Sequence, residues 1–190
     1  METATLVSIE EFFEEAAQTP DRIEYADGEI IYNMAGASKT HEKLVFNVLF
    51  SLGLIYRREP EVTIYPSNRY LYISACDKFV LPDVMVVEGE EEIYTQERQG
   101  FEPLMNPVAI VEVMSGSTKD YDRGEKLDCY QQIDSVRQIL LVSSEKVQVK
   151  SYSYQSPGQW HYTQLNDTSQ SLDFLGNSIK VEELYRKITF

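Results

Sequence analysis

Two periods of hydrophobic and polar residues alternate along this chain, and the switches between them predict its elements. Ser8-Ile9-Glu10-Glu11 has the form of a capping box, with Ser8 accepting from a backbone amide and Glu11 reaching back. It opens a short helix to about Gln18, closed by Pro20. Between Arg22 and Tyr32, Asp27-Gly28 separates two β-prone runs, a hairpin signal because both turn residues take positive φ. A two-residue turn there pairs Ala26 with Glu29 and Glu24 with Ile31. Ser38 then caps a long helix from about Lys39 to Tyr56. Leu44, Val45, Val48, Leu49, Leu52 and Ile55 recur in it at three- and four-residue spacing, which marks a core face.

From residue 61 the period becomes that of strands: Glu61–Tyr65, Tyr70–Ser74, Val84–Val87 and Val108–Met114. An acidic run, Glu88 to Glu92, and a loop ending at Pro103 and Pro107 separate the last two. A second long helix is predicted from about Lys119 to Ile133. Strands follow at Gln138–Ser143, Val147–Tyr154 and Trp160–Leu165, then a short helix near Val181–Lys187. No repeat or composition break divides the chain, so residues 1–190 read as one mixed α/β domain. The tyrosines at alternating strand positions, such as Tyr152 and Tyr154, read as sheet packing.

Composition narrows the function classes. Hydrophobic residues at 43% and charged residues at 25% exclude wholesale disorder, collagen and coiled coil. The net charge of −14 should repel nucleic acid and anionic membrane except where a local patch reverses the sign. Residues 119–190 are nearly balanced, with 9 basic and 10 acidic residues, and Lys119, Arg123, Arg137, Lys146 and Lys150 lie there. Cys76 and Cys129, with only two histidines in the chain, exclude a Cys/His zinc site. A disulfide between them stays open, and two buried free thiols is the plainer expectation. The N-terminus has no signal-peptide form, and the apolar stretch Phe79 to Val87 is too short to span a bilayer. A soluble, cytoplasmic protein is expected.

Candidate chemistry centres on two strands. Pro82-Asp83 heads the apolar strand Val84–Val87, where a proline without a backbone donor is tolerated. Glu112 stands near the end of the apolar run Val108–Val113. If the two strands pair antiparallel, both carboxylates meet at one edge of the sheet. Burying them there is costly unless they are paired or bind a metal, and hard oxygen ligands suit Mg²⁺ or Mn²⁺. Taken singly, Asp83 could cap a loop and Glu112 could face solvent; the conjunction favours the metal. Lys126 shares a helix face with Cys129, Tyr130 and Ile133 and should seek a buried carboxylate, unless its stem merely covers apolar surface.

The order of Pro-Asp and then Glu in an apolar strand resembles the PD-(D/E)XK nuclease superfamily with its restriction-endonuclease-like core. Met114 occupies the position where that pattern usually has its lysine, and Lys126 fits the variant in which the next helix supplies it. More specifically, the chain resembles the bacterial Uma-two family. The matching stretches are Glu24-Tyr25-Ala26-Asp27-Gly28-Glu29, His41, Pro82-Asp83-Val84, Val111 to Ser115 with Ser117-Thr118, and Tyr121 to Lys126. The resemblance implies a central mixed β-sheet flanked by helices, with an N-terminal helix and hairpin. It implies a Mg²⁺- or Mn²⁺-dependent DNA endonuclease with Asp83, Glu112 and Lys126 as catalytic residues. Asp83 and Glu112 would ligate the metal with Glu24 as a third ligand, although a hairpin glutamate is ordinarily solvated. His41 would touch phosphate or be a first-turn surface histidine, and Ser115, Ser117 and Thr118 would cradle phosphate or cap the helix. A homodimer formed through an apolar strand or helix surface is expected, since one such site cuts one strand. The competing class is a non-catalytic dimeric interaction protein, or one that associates with nucleic acid, retaining the fold.

Overall fold

The computed structural model describes residues 6–32, 38–95, 101–114 and 120–190, with side chains from residue 124 in the last segment. Helix α1 (Ile9–Gln18) starts at the expected capping box, Ser8 and Glu11 each bonding the other's backbone amide. Strands β1 (Ile23–Ala26) and β2 (Glu29–Tyr32) pair in the anticipated register, Ala26 with Glu29 and Glu24 with Ile31. The turn holds Asp27 and Gly28 at φ of 55° and 81°, the left-handed region that selects this dipeptide. Helix α2 (Lys39–Tyr56) is capped by the Ser38 side chain.

Six strands form the central mixed sheet, in the order β10-β9-β8-β7-β6-β3. These are β3 (Val62–Pro66), β6 (Val84–Glu88), β7 (Ala109–Met114), β8 (Gln138–Ser143), β9 (Val149–Ser156) and β10 (Gln159–Leu165). β7 and β8 run parallel, joined through helix α3 (Asp120–Tyr130), and the other neighbours are antiparallel. Alternation along β6 and β7 divides their side chains between two layers. Val84, Val86, Val111 and Val113 pack with Leu44, Val48 and Leu52 of α2. Met85, Val87 and Ile110 pack with Cys129 and Tyr130 of α3. A helix on each face explains why these strands read as continuous apolar runs.

A second sheet has the order β2-β1-β5-β4, with β4 (Leu71–Ile73) and β5 (Lys78–Val80). Phe12, Phe13, Ile23, Tyr25 and Phe79 join it to α1. β5 was not among the strands the pattern predicted: the apolar stretch Phe79 to Val87 is divided at Pro82-Asp83 between β5 of this sheet and β6 of the central one. Strands β11 (Ser171–Phe174) and β12 (Asn177–Lys180) form a hairpin that the pattern did not predict. Its turn signal was Gly176, at φ 80°. Helix α4 (Val181–Leu184) is a single turn, shorter than expected. Tyr152 meets Tyr162 and Tyr154 meets Trp160 across the β9–β10 pair, as sheet-packing aromatics.

The cysteines also differ from expectation. Cys76 and Cys129 form a disulfide, Cα atoms 6.0 Å apart, which fastens the β4–β5 loop to α3. The fold places β4–β5 against α3, a proximity that 53 residues of sequence separation concealed.

Candidate active site

Leu81-Pro82-Asp83 carries the chain from the small sheet into the large one, and its backbone is held from both sides. Leu81 donates its amide to Glu24 Oε1 at 2.9 Å, while its carbonyl accepts from Arg22 at 3.2 Å. Pro82 contributes no donor to this junction. Asp83 follows, 6% exposed, and its Oδ2 accepts from the Val113 amide at 2.8 Å.

Val84 pairs with Val111 in the β6–β7 ladder, so the continuing register sets Asp83 across from Glu112. Directly opposed residues of an antiparallel pair project from the same face. Both carboxylates therefore stand at one sheet end, as the sequence pattern predicted. Tyr130, 1% exposed on α3, donates its hydroxyl to Glu112 Oε1 at 2.6 Å.

Two other elements close on this end. His41, in the first turn of α2, places Nε2 3.1 Å from Asp83 Oδ2. An ionised carboxylate only accepts, so Nε2 carries the hydrogen. Lys126 reaches across from α3 and donates to Glu24 Oε1 at 2.8 Å. The expectations for these residues need correcting in two respects. Glu24 is not a solvated hairpin residue, being 3% exposed. His41 is not an open surface histidine, its side chain being 18% exposed and held by Asp83. Lys126 finds the buried carboxylate its helix face called for, and that carboxylate is Glu24. Ser115, Ser117, Thr118 and Lys119 lie outside the described residues, as does the side chain of Arg123.

Tyr130 and Arg22 were not recognised as site residues. The signal for Tyr130 was its position four residues after Lys126, which puts both side chains over the same strand. Arg22 acts on backbone carbonyls, donating to Ser67 and Leu81, and carried no sequence signal.

Electrostatics follow from burial and crowding. Burial lifts the Glu112 carboxyl to about 7; the Lys126 charge opposes this, and the Asp83 charge adds to it. Burial alone would lower the Lys126 ammonium, but the negative charges of Glu112 and Glu24 outweigh it and raise the group. The Tyr130 hydroxyl is raised well above 10 by burial and by Glu112, so it remains a donor. The hydrogen bond to Asp83 raises the His41 imidazole, with burial pulling the other way. We expect His41 to titrate above 6.5 in an NMR pH series, and Asp83→Asn to bring its midpoint down. An unchanged midpoint in that variant would show that the contact is not formed in solution.

The donor set suits a hard divalent cation. Asp83 Oδ1, Glu112 Oε2 and Glu24 Oε2 have no hydrogen-bond partner among the described residues. Among the described residues no three His, Cys, Asp or Glu side chains converge to enclose an ion. Two carboxylates completed by water is a usual Mg²⁺ arrangement, whereas a closed cage is not required.

Known proteins place this constellation in context. A family model described as "Putative restriction endonuclease", Uma2, matches residues 9–182. The uncharacterized protein sll1609 of Synechocystis sp. is 31% identical over 173 residues, covering 90% of this chain and 94% of its own. A second uncharacterized Synechocystis protein, slr1290, is 29% identical over 185 residues, covering 97% of this chain and 94% of its own. A crystal structure from Anabaena variabilis, described as "a putative nuclease belonging to DUF820", superposes with a TM-score of 0.71 at 14% identity. The superposition covers 94% of this chain and 97% of the other, so the nuclease-like mixed fold is shared. With the family pattern running through α1, both sheets and α3, the chain belongs to the Uma2 family.

Proposed function

We propose that this protein is a metal-dependent endonuclease that hydrolyses DNA phosphodiesters in the cytoplasm, with a PD-(D/E)XK-type site whose lysine comes from α3. The observation that carries the reading is the set of acids at one sheet end, Asp83 opposite Glu112, with Lys126 reaching in from α3. In this reading Asp83 and Glu112 hold Mg²⁺ or Mn²⁺. The bound cation supplies Lewis-acid charge to the scissile phosphate and to the attacking water.

The chain's own residues do the rest. Tyr130 engages one oxygen of Glu112 and leaves the other without a hydrogen-bond partner among the described residues. The Val113 amide and His41 do the same for Asp83 through its Oδ2. Glu24 positions Lys126 through Oε1, which also accepts from the Leu81 amide, and its Oε2 stays available as a third ligand. Lys126, anchored there, presents a fixed positive charge to the negative charge growing on the phosphorane. The net charge of −14 opposes a polyanion, so approach depends on the balanced last third of the chain and on the cation.

Supercoiled plasmid incubated with the protein and Mg²⁺ tests the reading. Open circles should accumulate with Mg²⁺ and not with EDTA. Asp83→Ala should lower the rate by roughly 100-fold or more, since even losing a residue behind a metal ligand costs about 10–100-fold. Equal nicking by wild type and Asp83→Ala would overturn the assignment.

A further inference from the structure

Helix α3 brings Lys126 and Tyr130 to the candidate site, yet its own sequence holds it there weakly. Four of its residues are acidic, and Gly124 stands in its interior, where only proline is a poorer helix former. Among its described side chains only Cys129 and Tyr130 are buried, with Leu127 half-buried beside them. The apolar hold is therefore concentrated in the last turn.

The Cys76–Cys129 disulfide lies at that same end. It ties α3 to the loop between β4 and β5, and β5 pairs with β1, the strand that carries Glu24. Cys129 stands three residues after Lys126 and immediately before Tyr130. The covalent bond thus sets the distance between the two elements that the Lys126–Glu24 ion pair must span. The other ion pair joining α3 to β5 among the described residues is Lys78–Glu125, at 3.5 Å with the Glu125 side chain 43% exposed. A pair that wet adds little.

The bond is also within reach of solvent. Cys76 is half-buried between exposed Ala75 and Asp77, while Cys129 is buried. Both cysteines line an open cavity of about 560 Å³. In the cytoplasm proposed for this protein, disulfides are rare, and those that form are usually transient and redox-sensing.

We propose that Cys76 and Cys129 form a reversible redox site, whose reduction by a dithiol loosens α3 and disassembles the candidate centre. One thiolate of the dithiol attacks Cys76 Sγ. The S–S bond breaks, and its electron pair leaves on Cys129 Sγ, which takes up a proton. The second thiolate then attacks the dithiol's own sulfur in the mixed disulfide and releases Cys76, which is protonated in turn. Two electrons and two protons pass to the protein, and the dithiol departs as a cyclic disulfide. The oxidised chain is the assembled form and the reduced chain the dormant one. The loss of cleavage rests on the endonuclease reading; the loosening of α3 does not.

Maleimide labelling and intact mass should count no free thiol in oxidised protein, two after dithiothreitol, and none again after oxidised glutathione. Hydrogen exchange of the α3 amides should speed up about 10-fold on reduction, with α2 and the central sheet unchanged. Plasmid nicking with Mg²⁺ should fall about 10-fold in the same sample and recover on reoxidation. The double variant Cys76→Ser, Cys129→Ser should nick slowly with or without reductant, with circular dichroism checking its fold. Thiols that stay free under oxidation would overturn the proposal. So would α3 exchange that is the same in both states, or exchange that rises equally along the whole chain, which marks a general staple. Equal nicking by the oxidised and reduced forms would also overturn it. Protein that nicks in neither state sinks the endonuclease reading alone, because α3 exchange still decides the redox site.

Discussion

Replacing Lys126 with methionine is expected to lower stability by about 3 kcal/mol, because it strips a buried carboxylate of its counter-charge. Glu24 has 4% of its side chain exposed, and without Lys126 its hydrogen bond from the described residues is the single amide of Leu81. Breaking a buried pair from one side costs about 3–5 kcal/mol, and the 32% exposure of the Lys126 side chain sets the lower end. Adding Glu24→Gln removes the orphaned charge, so the double variant should recover much of the loss, with a coupling energy of about 2 kcal/mol. Urea unfolding of the four proteins measures that cycle. Cleavage should behave differently. In our reading the ammonium offsets charge on the phosphorane, so both Lys126 variants should nick plasmid roughly 100-fold more slowly or worse. A double variant that is stable and also active would refute the role given to Lys126.

Metal-free protein is expected to lose stability as pH rises from about 5 to 8, with Glu112 the larger cause and the raised His41 imidazole adding in the same direction above 6.5. The Glu112 carboxyl titrates near 7 in the folded chain, against the ordinary 4.5. The folded state therefore holds this proton more tightly than the unfolded chain does. The stabilisation is full below 4.5, fades between 4.5 and about 7, and is gone above. The difference corresponds to about 3 kcal/mol between the two limits. Glu112→Gln keeps an acceptor for Tyr130 but has nothing to ionise, so its stability should lose the Glu112 part of this slope and keep only what His41 adds. Unfolding of both proteins at pH 5 and pH 8 makes the comparison. Mg²⁺ added at pH 8 should stabilise wild type more than Glu112→Gln, because the variant keeps only Asp83 of the two proposed acid ligands. Parallel pH curves for the two proteins would show that Glu112 is not buried as described.

Local chemistry made part of this fold legible. The Ser8 capping box, the Asp27-Gly28 hairpin and the apolar face of α2 depend on neighbours a few residues away, and each formed where the pattern placed it. The antiparallel meeting of Asp83 and Glu112 was legible for a related reason. A proline at one strand's head and an acid at the other's end leave few ways to pair. What escaped was set by tertiary burial. Glu24 reads as a solvated hairpin residue until the second sheet docks on Leu81. The split of Phe79–Val87 between two sheets is invisible to hydrophobicity, because both halves are equally apolar. Lys126 was correctly turned inward by its helix face, yet nothing local could choose between Glu24 and Glu112 as its partner.

The bonds that make the site join residues far apart in the chain: 30 positions for Val113 and Asp83, 42 for His41 and Asp83, 57 for Leu81 and Glu24, and 102 for Lys126 and Glu24. Each contact must close a long loop before it is rewarded, so such pairings form late in folding. During synthesis, Glu24 leaves the ribosome about a hundred residues ahead of the lysine that neutralises it, and it remains hydrated in the interval. A nascent chain that has not yet released α3 has no assembled centre. Release of α3 is thus the earliest point at which the chain can acquire its chemistry.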